Sequence, residues 1–161
     1  MIVGIDVGLT GACAVLTDDG EAIEVCDMPV MASGQRGARV RRQVDAGTLS
    51  RMLRRATGGV MAFVEAQSAR PGQGVAGVFS LGQSYGTVTA VLAAVGIPFL
   101  LVQPRAWKAY HGLVKAEKAE SLARARRLFP EVDLHLQKHH NRAEALLLAL
   151  YGVEQAHRRV A

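Results

Sequence analysis

Residues 1–16, MIVGIDVGLTGACAVL, form an apolar stretch that contains a single acidic residue, Asp6. The β-branched residues around Asp6 predict a buried first strand, and Gly8 and Gly11 predict a tight turn before a second strand. A carboxylate in a buried strand costs free energy unless it has a partner. Asp6 is therefore interpreted as a phosphate-site residue, a metal ligand or a strand-end cap, depending on what the remaining sequence supplies.

The composition is that of a basic globular protein. The chain has 161 residues, half of them hydrophobic and a fifth charged, with a formal net charge of +5. This length suffices for one core, so we expect a single domain over residues 1–161. The positive charge favours a polyanionic partner. The longest apolar run, residues 88–102, is interrupted by Gly96 and Pro98. We therefore expect no membrane span and, without signal-peptide features, a cytoplasmic protein.

The order of the predicted elements indicates an α/β fold. Apolar runs predict five strands, at residues 1–7, 11–17, 21–29, 60–65 and 97–102. The first three are joined by tight turns and predict an antiparallel meander, whereas helical patterns start at Asp45, fill residues 75–96 and follow Pro104. This order predicts a mixed five-stranded sheet, antiparallel and then parallel, with helices on both faces. The Gly- and Arg-rich segment 31–43 is interpreted as an exposed loop.

Three acidic residues each lie against an apolar element. Asp6 is in the first strand, Glu65 ends the fourth, and Glu144 lies near the start of the last helix. Each alone is more often an ordinary strand-end or helix-start carboxylate. If the first and fourth strands are neighbours, however, Asp6 and Glu65 converge at one end of the sheet. Converging carboxylates repel each other, and oxygen ligands favour Mg²⁺ or Mn²⁺.

Histidines precede the last helix. His140 and Glu144 are four residues apart and would share a helix face, so His140 is a candidate metal ligand or proton carrier. His135 and His157 are interpreted as solvated surface residues. We expect no compact nitrogen or sulfur set of the zinc type, and favour two-metal phosphodiester cleavage by carboxylates over zinc hydrolysis.

Basic residues form a second candidate set. Any one of them is more often a solvated surface charge, but together they exceed what solubility requires and predict contact with a phosphate backbone. The DNA-binding candidates are Arg36, Arg39, Arg41, Arg42, Arg70, Lys108 and Lys115. Phe79 is assigned either to packing within the long helix or to the mouth of a nucleic-acid groove.

Four stretches together resemble the RuvC family of Holliday-junction resolvases. They are GIDVGLTGACAV at 4–15, FVEAQSARPGQGVAGVFSLGQSYG at 63–86, PRAWKAYHGL at 104–113 with LFP at 128–130, and NRAEALLLALYG at 141–152. They occur in the family's order over almost the whole chain, and they look closest to the phage-type and compact bacterial members. The resemblance implies a ribonuclease H-like fold and a crossover junction endodeoxyribonuclease, encoded by a bacterium or a phage.

The resemblance also implies a catalytic set. Its metal ligands match Asp6, Glu65 and Glu144. The fourth ligand falls at His140 if the helical spacing is four residues, at Asn141 if it is three, and His139 is a further alternative.

The same resemblance implies how such a protein works. Two Mg²⁺ or Mn²⁺ ions per site, with Lys118 as a helper, would hydrolyse phosphodiester bonds and leave 5′-phosphates. A homodimer, with residues 75–95 as its interface, would cut two strands of a four-way DNA junction symmetrically. Residues 69–80 would reach the junction centre, and Lys115 or Lys118 would approach the scissile phosphate.

Other interpretations remain open at this point. Actin-like sugar kinases and ATPases share the GIDVG type of opening strand, but they need a second such domain and a second glycine-rich phosphate loop. A YqgF-type resolvase is a related small fold that the PRAWK and LFP stretches fit poorly. A non-catalytic or differently targeted protein of the same superfamily, binding branched DNA or RNA, is the third alternative.

Overall fold

A five-stranded sheet forms the centre of the computed structural model, which describes residues 1–36, 39–56, 58–69 and 71–160, without the side chains of 35, 36, 39, 40, 159 and 160. The strands in chain order are β1 (Ile2–Asp6), β2 (Ala12–Leu16), β3 (Ala22–Asp27), β4 (Val30–Arg36), β5 (Arg39–Val44), β6 (Met61–Glu65) and β7 (Phe99–Val102). The central sheet has the order β3-β2-β1-β6-β7. β1 pairs antiparallel with β2 and parallel with β6. The predicted mixed sheet is confirmed, and its first and fourth predicted strands are neighbours.

β4 and β5 form a separate two-stranded sheet. The interpretation of segment 31–43 as a loop is therefore wrong. The pairing shifts register between Ala32 and Gly34, and Gly34 has a φ of +138°. Such an irregularity breaks the alternation of polar and apolar residues that identifies a strand in a sequence.

Five helices follow the predicted order. They are α1 (Ala46–Leu53), α2 (Val75–Val95), α3 (Pro104–Tyr110), α4 (Lys118–Leu128) and α5 (His140–Val160), and a 3-10 turn at Gln137–His139 leads into α5. Asp45 caps α1, because its carboxylate accepts the backbone N–H of Thr48 at 2.9 Å. Glu117 and Glu120 form a capping box at the start of α4. These caps fix where the helices begin.

The helices cover both faces of the central sheet. On one face α5 and Trp107 pack against Phe63, and on the other Leu49 of α1 and Val88 of α2 pack against residues of β1 and β6. α5 lies directly on β1, since a Cβ atom added to Gly4 would fall 2.2 Å from the carbonyl oxygen of Ala145. This close approach sets the distance between α5 and the strand that ends at Asp6.

α2 differs from the other described helices in being long and apolar enough to cross a membrane by length and composition alone. One such helix is weak evidence for a membrane protein, because core helices of soluble proteins pass the same test. Only 22% of its apolar window is buried. Val75 is 87% exposed and Phe79 66% exposed. The N-terminal half of α2 therefore presents an apolar surface.

Candidate metal and phosphate site

The sheet brings the three candidate acids together. Asp6 is the last residue of β1 and Glu65 the last residue of β6, and the carboxyl ends of these parallel strands meet at one edge. Glu144 lies in the second turn of α5, which packs on β1. Both glutamates act electrostatically on Asp6. The convergence expected from the strand order is therefore present.

The charge of Asp6 is poorly stabilised by its surroundings. Burial raises the pKa of Asp6 well above its usual range, and the negative charges of Glu65 and Glu144 raise it further. Lys118 and Lys108 act in the opposite direction. Because repulsion between the acids exceeds what the two lysines offset, a cation at this edge would stabilise the ionised form.

Glu65 is held by a residue of α3. The indole Nε1 of Trp107 donates a hydrogen bond to Oε2 of Glu65 at 3.0 Å, and Trp107 is fully buried. Burial raises the pKa of Glu65, the Trp107 hydrogen bond lowers it, and Glu144 raises it again. The sequence did not predict this partner of Glu65, because a hydrogen bond between residues 42 positions apart leaves no local signal.

Lys108, a DNA-binding candidate, lies among the carboxylates. Its Nζ atom is 3.5 Å from Oε1 of Glu144 and 5.1 Å from the centre of the Trp107 ring. The side chain is partly buried. A positive charge in this position offsets part of the negative charge of the carboxylate cluster.

His140 is joined to the cluster through Lys118. Nε2 of His140 lies 3.1 Å from Nζ of Lys118, and Nδ1 lies 3.2 Å from the carbonyl oxygen of Gln137. Since a carbonyl only accepts, Nδ1–H donates to Gln137 and the Nε2 lone pair accepts from the ammonium group. Lys118 also acts on the charge of Asp6. The His140 lone pair that a cation would use, on Nε2, therefore accepts from the same lysine that acts on the charge of Asp6.

The alternative fourth residues have other partners. The side-chain amide of Asn141 donates to the carbonyl oxygen of Thr10 in the β1–β2 turn. His139 is buried, and its ring approaches Asp133 and His135. Of the three alternatives, His140 is the one whose contact partner, Lys118, also acts on the charge of Asp6. The identity of the fourth ligand stays a prediction.

The donor set fits a hard divalent cation. Three carboxylates supply oxygen ligands, and the pKa values of Asp6 and Glu65 are raised by burial and by neighbouring negative charge, as expected for anions that lack a counter-ion. Mg²⁺ and Mn²⁺ prefer such oxygen ligands, and an imidazole is compatible with Mn²⁺. Asp6, Glu65, Glu144 and His140 are therefore the residues that could hold the ion.

A tighter donor cluster lies outside this site. Among the described residues, the one group of three or more His, Cys, Asp or Glu with ligand atoms all within 4.8 Å of one another is Asp133, His135 and His139. The expectation that the chain has no compact nitrogen set is therefore wrong. His135 is exposed, as expected, but it hydrogen-bonds to Asp133. The spacing of four residues between His135 and His139 is visible in the sequence, but these residues do not lie on one regular helix, so the spacing alone does not identify the group.

The arginine candidates lie mainly on the β4–β5 hairpin. Arg41 and Arg42 are exposed on β5. Arg36 ends β4 and Arg39 begins β5, but their side chains are outside the described part of the structure. Arg70 lies outside the described residues altogether. Two of the five predicted arginines can thus be placed on an accessible surface.

The remaining candidates occupy separate places. Lys115 is exposed in the turn between α3 and α4, with a φ of +66°, and Phe79 is exposed on α2. An open groove of about 480 Å³ runs beside Lys118 and His140, with Lys138 in its lining. Two of the predicted basic residues, Lys108 and Lys118, therefore lie at the carboxylate cluster, and the described others lie on outer surfaces.

No protein-family model and no curated protein matches this chain. Solved structures do match it, among them two of a bacterial RuvC and one of a viral resolvase. RuvC of T. thermophilus in complex with a Holliday junction substrate is 20% identical, covers 99% of this chain and 96% of its own, and has a TM-score of 0.68. A second Thermus thermophilus RuvC structure is 18% identical over 99% and 95% of the two chains, with a TM-score of 0.58. A fowlpox virus resolvase, in complex with its substrate Holliday junction DNA, is 13% identical over 96% and 99%, with a TM-score of 0.55. The resemblance to RuvC found in the sequence is thus confirmed at the level of the fold, which is the ribonuclease H-like fold of these proteins.

Proposed function

We propose that this chain is a metal-dependent endonuclease that resolves four-way DNA junctions. The observation that carries the proposal is the convergence of Asp6, Glu65 and Glu144 at one sheet edge, with Lys108 and Lys118 beside them. The fold supports it, because the similar structures include two resolvases that were solved with junction DNA. Carboxylates with adjacent lysines suit hydrolysis of a phosphodiester, whose transition state gains negative charge.

In this proposal Asp6, Glu65 and Glu144 hold one or two Mg²⁺ or Mn²⁺ ions, with His140 as the fourth donor. The chemistry that such ions supply when bound is activation of a water molecule and neutralisation of charge on the phosphate. Trp107 keeps the Glu65 carboxylate in place through its hydrogen bond. The tight packing of α5 on β1 keeps Glu144 opposite Asp6.

The lysines act on the phosphate. Lys118 and Lys108 carry flexible ammonium groups that now contact His140 and Glu144, and they can turn to non-bridging phosphate oxygens when DNA enters. Attack of a water oxygen on phosphorus breaks the bond to the 3′ oxygen, which takes up a proton, and leaves a 5′-phosphate. If His140 is not a metal ligand, the lone pair on its Nε2 can accept the proton of the attacking water.

Exposed surfaces supply contacts to the rest of the junction. Arg41 and Arg42 on the β4–β5 hairpin and Lys115 between α3 and α4 are exposed, and in this proposal they contact phosphate backbones. The apolar surface of α2, with Val75 and Phe79, is the proposed dimer interface. Two copies joined there would present two carboxylate sites, as symmetrical cleavage requires.

The proposal is tested by incubating the protein with a labelled four-way junction, or a linear duplex of the same sequence, in Mg²⁺ or Mn²⁺. We expect symmetrical nicking of the junction alone. Asp6→Asn should lower the rate by at least about a hundredfold, because it removes the charge of a proposed ligand of the ions that neutralise the transition state. Asp19→Asn, which changes an exposed aspartate of the β2–β3 turn, is the matched control. Equal rates for the two variants would contradict the proposal.

A second candidate function is binding of branched nucleic acid without cleavage. One observation that favours it is the contact of Lys108 with Glu144, which occupies a candidate metal ligand. A second is the spacing of the candidate carboxylates: among the described residues, they do not form a group of three ligand atoms within 4.8 Å of one another. Junction binding without nicking in either metal would support it. Hydrolysis of ATP without cleavage of DNA would instead indicate an actin-like activity.

A further inference from the structure

We propose a second metal site, formed by Asp133, His135 and His139 in the segment between α4 and α5, that takes Zn²⁺ or a similar transition-metal ion. It is distinct from the carboxylate cluster of Asp6 and Glu65. It also does not depend on whether the chain cuts DNA.

The three side chains are already gathered. One ligand atom from each lies within 4.8 Å of the other two, and the imidazole rings of His135 and His139 have centroids 5.5 Å apart. Ligand atoms around one tetrahedral Zn²⁺ are roughly 3.3 Å apart, given metal–ligand distances of about 2 Å. Asp133 and His135 are exposed, so their side chains can rotate to adjust these distances when an ion binds.

His139 supplies the observation that points to a ligand. The residue is only 5% exposed, yet among the described residues its Nδ1 atom has no hydrogen-bond partner. Buried polar atoms in native structures are almost always paired with protein or ordered solvent, and an unpaired one needs an explanation. A metal ion coordinated by Nδ1 would give this atom the partner that it lacks.

The backbone of the site is fixed by α4. The guanidinium of Arg126 donates to the carbonyl oxygen of Leu134 from Nε at 2.9 Å and from Nη2 at 2.8 Å, and Nη2 also donates to the carbonyl oxygen of His135 at 2.8 Å. The side chain of Leu134 is buried. His135 is therefore held at its backbone before any ion arrives, which lowers the entropic cost of binding.

The donor types select the class of ion. Two imidazole nitrogens and one carboxylate oxygen suit Zn²⁺, Co²⁺ or Ni²⁺ much better than Mg²⁺, which prefers oxygen ligands and bound water. Three protein ligands leave one position for water. The ion would tie residues 130–139 to the start of α5.

The test measures Zn²⁺ binding to the full chain by calorimetry, in an Asp6→Asn background that weakens the carboxylate cluster. We expect one bound ion, and a dissociation constant raised roughly tenfold or more when His135→Ala is added, by analogy with the losses that follow changes around metal sites. His157→Ala removes an exposed histidine of α5 and is the matched control, which should bind as its parent does. Zn²⁺ should also raise the melting temperature of the parent but not of His135→Ala.

Asp133→Asn provides a second variant if His135→Ala folds poorly. Equal Zn²⁺ affinity in the parent and in either cluster variant would overturn the proposal. So would an equal loss in His157→Ala. Zn²⁺ binding is measured without DNA, so the two proposals can fail separately. If the protein binds Zn²⁺ at this site but does not cut junctions, the nuclease proposal is refuted and the metal-site proposal stands.

Discussion

α5 and α2 are both 21 residues long and cover opposite faces of the same sheet, but they pack against it differently. α5 approaches β1 so closely that an added Cβ on Gly4 would lie 2.2 Å from its backbone. α2 buries few of its side chains, and a Cβ added to Gly82 would meet none of the described atoms within 4 Å. The helix that carries Glu144 is thus held at a fixed distance from Asp6, whereas α2 has a free outer surface.

This difference separates two kinds of candidate residue in the proposed nuclease. Side chains that must meet at one point lie on elements whose spacing is set by backbone contact, as Asp6 and Glu144 do. The exposed apolar side chains of α2 need no such precision, because a partner could adjust to them. Variants on the two faces should therefore behave differently.

The largest expected effect comes from a substitution on the face of the sheet that α5 covers, called the tight face below. Gly4→Ala places a methyl group against Ala145 O and against the backbone nitrogen of Ala149 at 2.6 Å. Since helix backbone cannot yield as a flexible side chain can, we expect the free energy of unfolding to fall by about 3 kcal/mol. Urea denaturation followed by circular dichroism measures it.

Gly82→Ala makes the same chemical change on the open face. With space around the new methyl group and a better helix former in α2, we expect the free energy of unfolding to rise by about 0.5–1 kcal/mol. If both variants lost stability equally, the contrast between the two faces would be wrong.

An intermediate effect is expected from the hydrogen bond between Trp107 and Glu65 on the tight face. Trp107→Phe removes the Nε1–H that donates to Glu65, while the ring remains apolar. Because this hydrogen bond lowers the pKa of Glu65, its loss should raise that pKa further. In the proposed nuclease, the loss should weaken metal-dependent cleavage about tenfold to a hundredfold.

Carboxylate NMR titration measures the first effect, and cleavage rates at several Mg²⁺ concentrations measure the second. Tyr110→Phe is the control, since it removes a neighbouring aromatic hydroxyl that has no hydrogen bond to the described residues. An unchanged pKa of Glu65 in Trp107→Phe would show that the indole does not hold the carboxylate.

The smallest expected effect is a pH dependence on the same face. His111 is buried and its Nε2–H donates to the carbonyl oxygen of Leu147 in α5 at 2.7 Å. Burial lowers the pKa of His111 below its usual 6.5, the hydrogen bond to Leu147 opposes this, and the charge of Arg124 adds to the lowering. The unfolded chain therefore binds the proton at a higher pH than the folded protein does, and stability contributed by this site declines as the pH falls through 6.5.

Thermal unfolding between pH 8 and pH 5 compares the parent with His111→Gln, which keeps a donor for Leu147 but does not titrate. The parent should lose more stability than the variant on acidification. Parallel pH profiles would place the titrating group elsewhere.

The central sheet and the three candidate acids could be predicted from the sequence because local residue patterns indicate both. Apolar runs mark the strands of the central sheet, and Asp6 and Glu65 stand out as the charges at their ends. The β4–β5 hairpin was not predicted, because Gly34 and the register shift interrupt its alternation of polar and apolar residues. Neither pattern nor spacing could predict which residues hold the acids, since Trp107 and Lys108 reach them only through the folded chain.

The histidine cluster illustrates a different limit. His135 and His139 are four residues apart, but that spacing means little in a segment that is not one regular helix. Arg126 and the burial of Leu134 shape the segment, and both depend on α4 packing beside it. The sequence contains the ligands, whereas the tertiary structure decides that they meet.

The contacts of Lys108 with Glu144 and of Lys118 with His140 have a consequence for entropy. A lysine fixed in one place loses rotamer freedom worth up to about 2 kcal/mol. When another cation takes over Glu144 or His140, the displaced lysine regains that freedom, and it gives part of it up again if it then fixes on a phosphate. When an ion binds, the entropy that the released lysine regains therefore offsets part of the entropic cost of ordering the ion. The binding enthalpy alone then understates the affinity of the site for the ion.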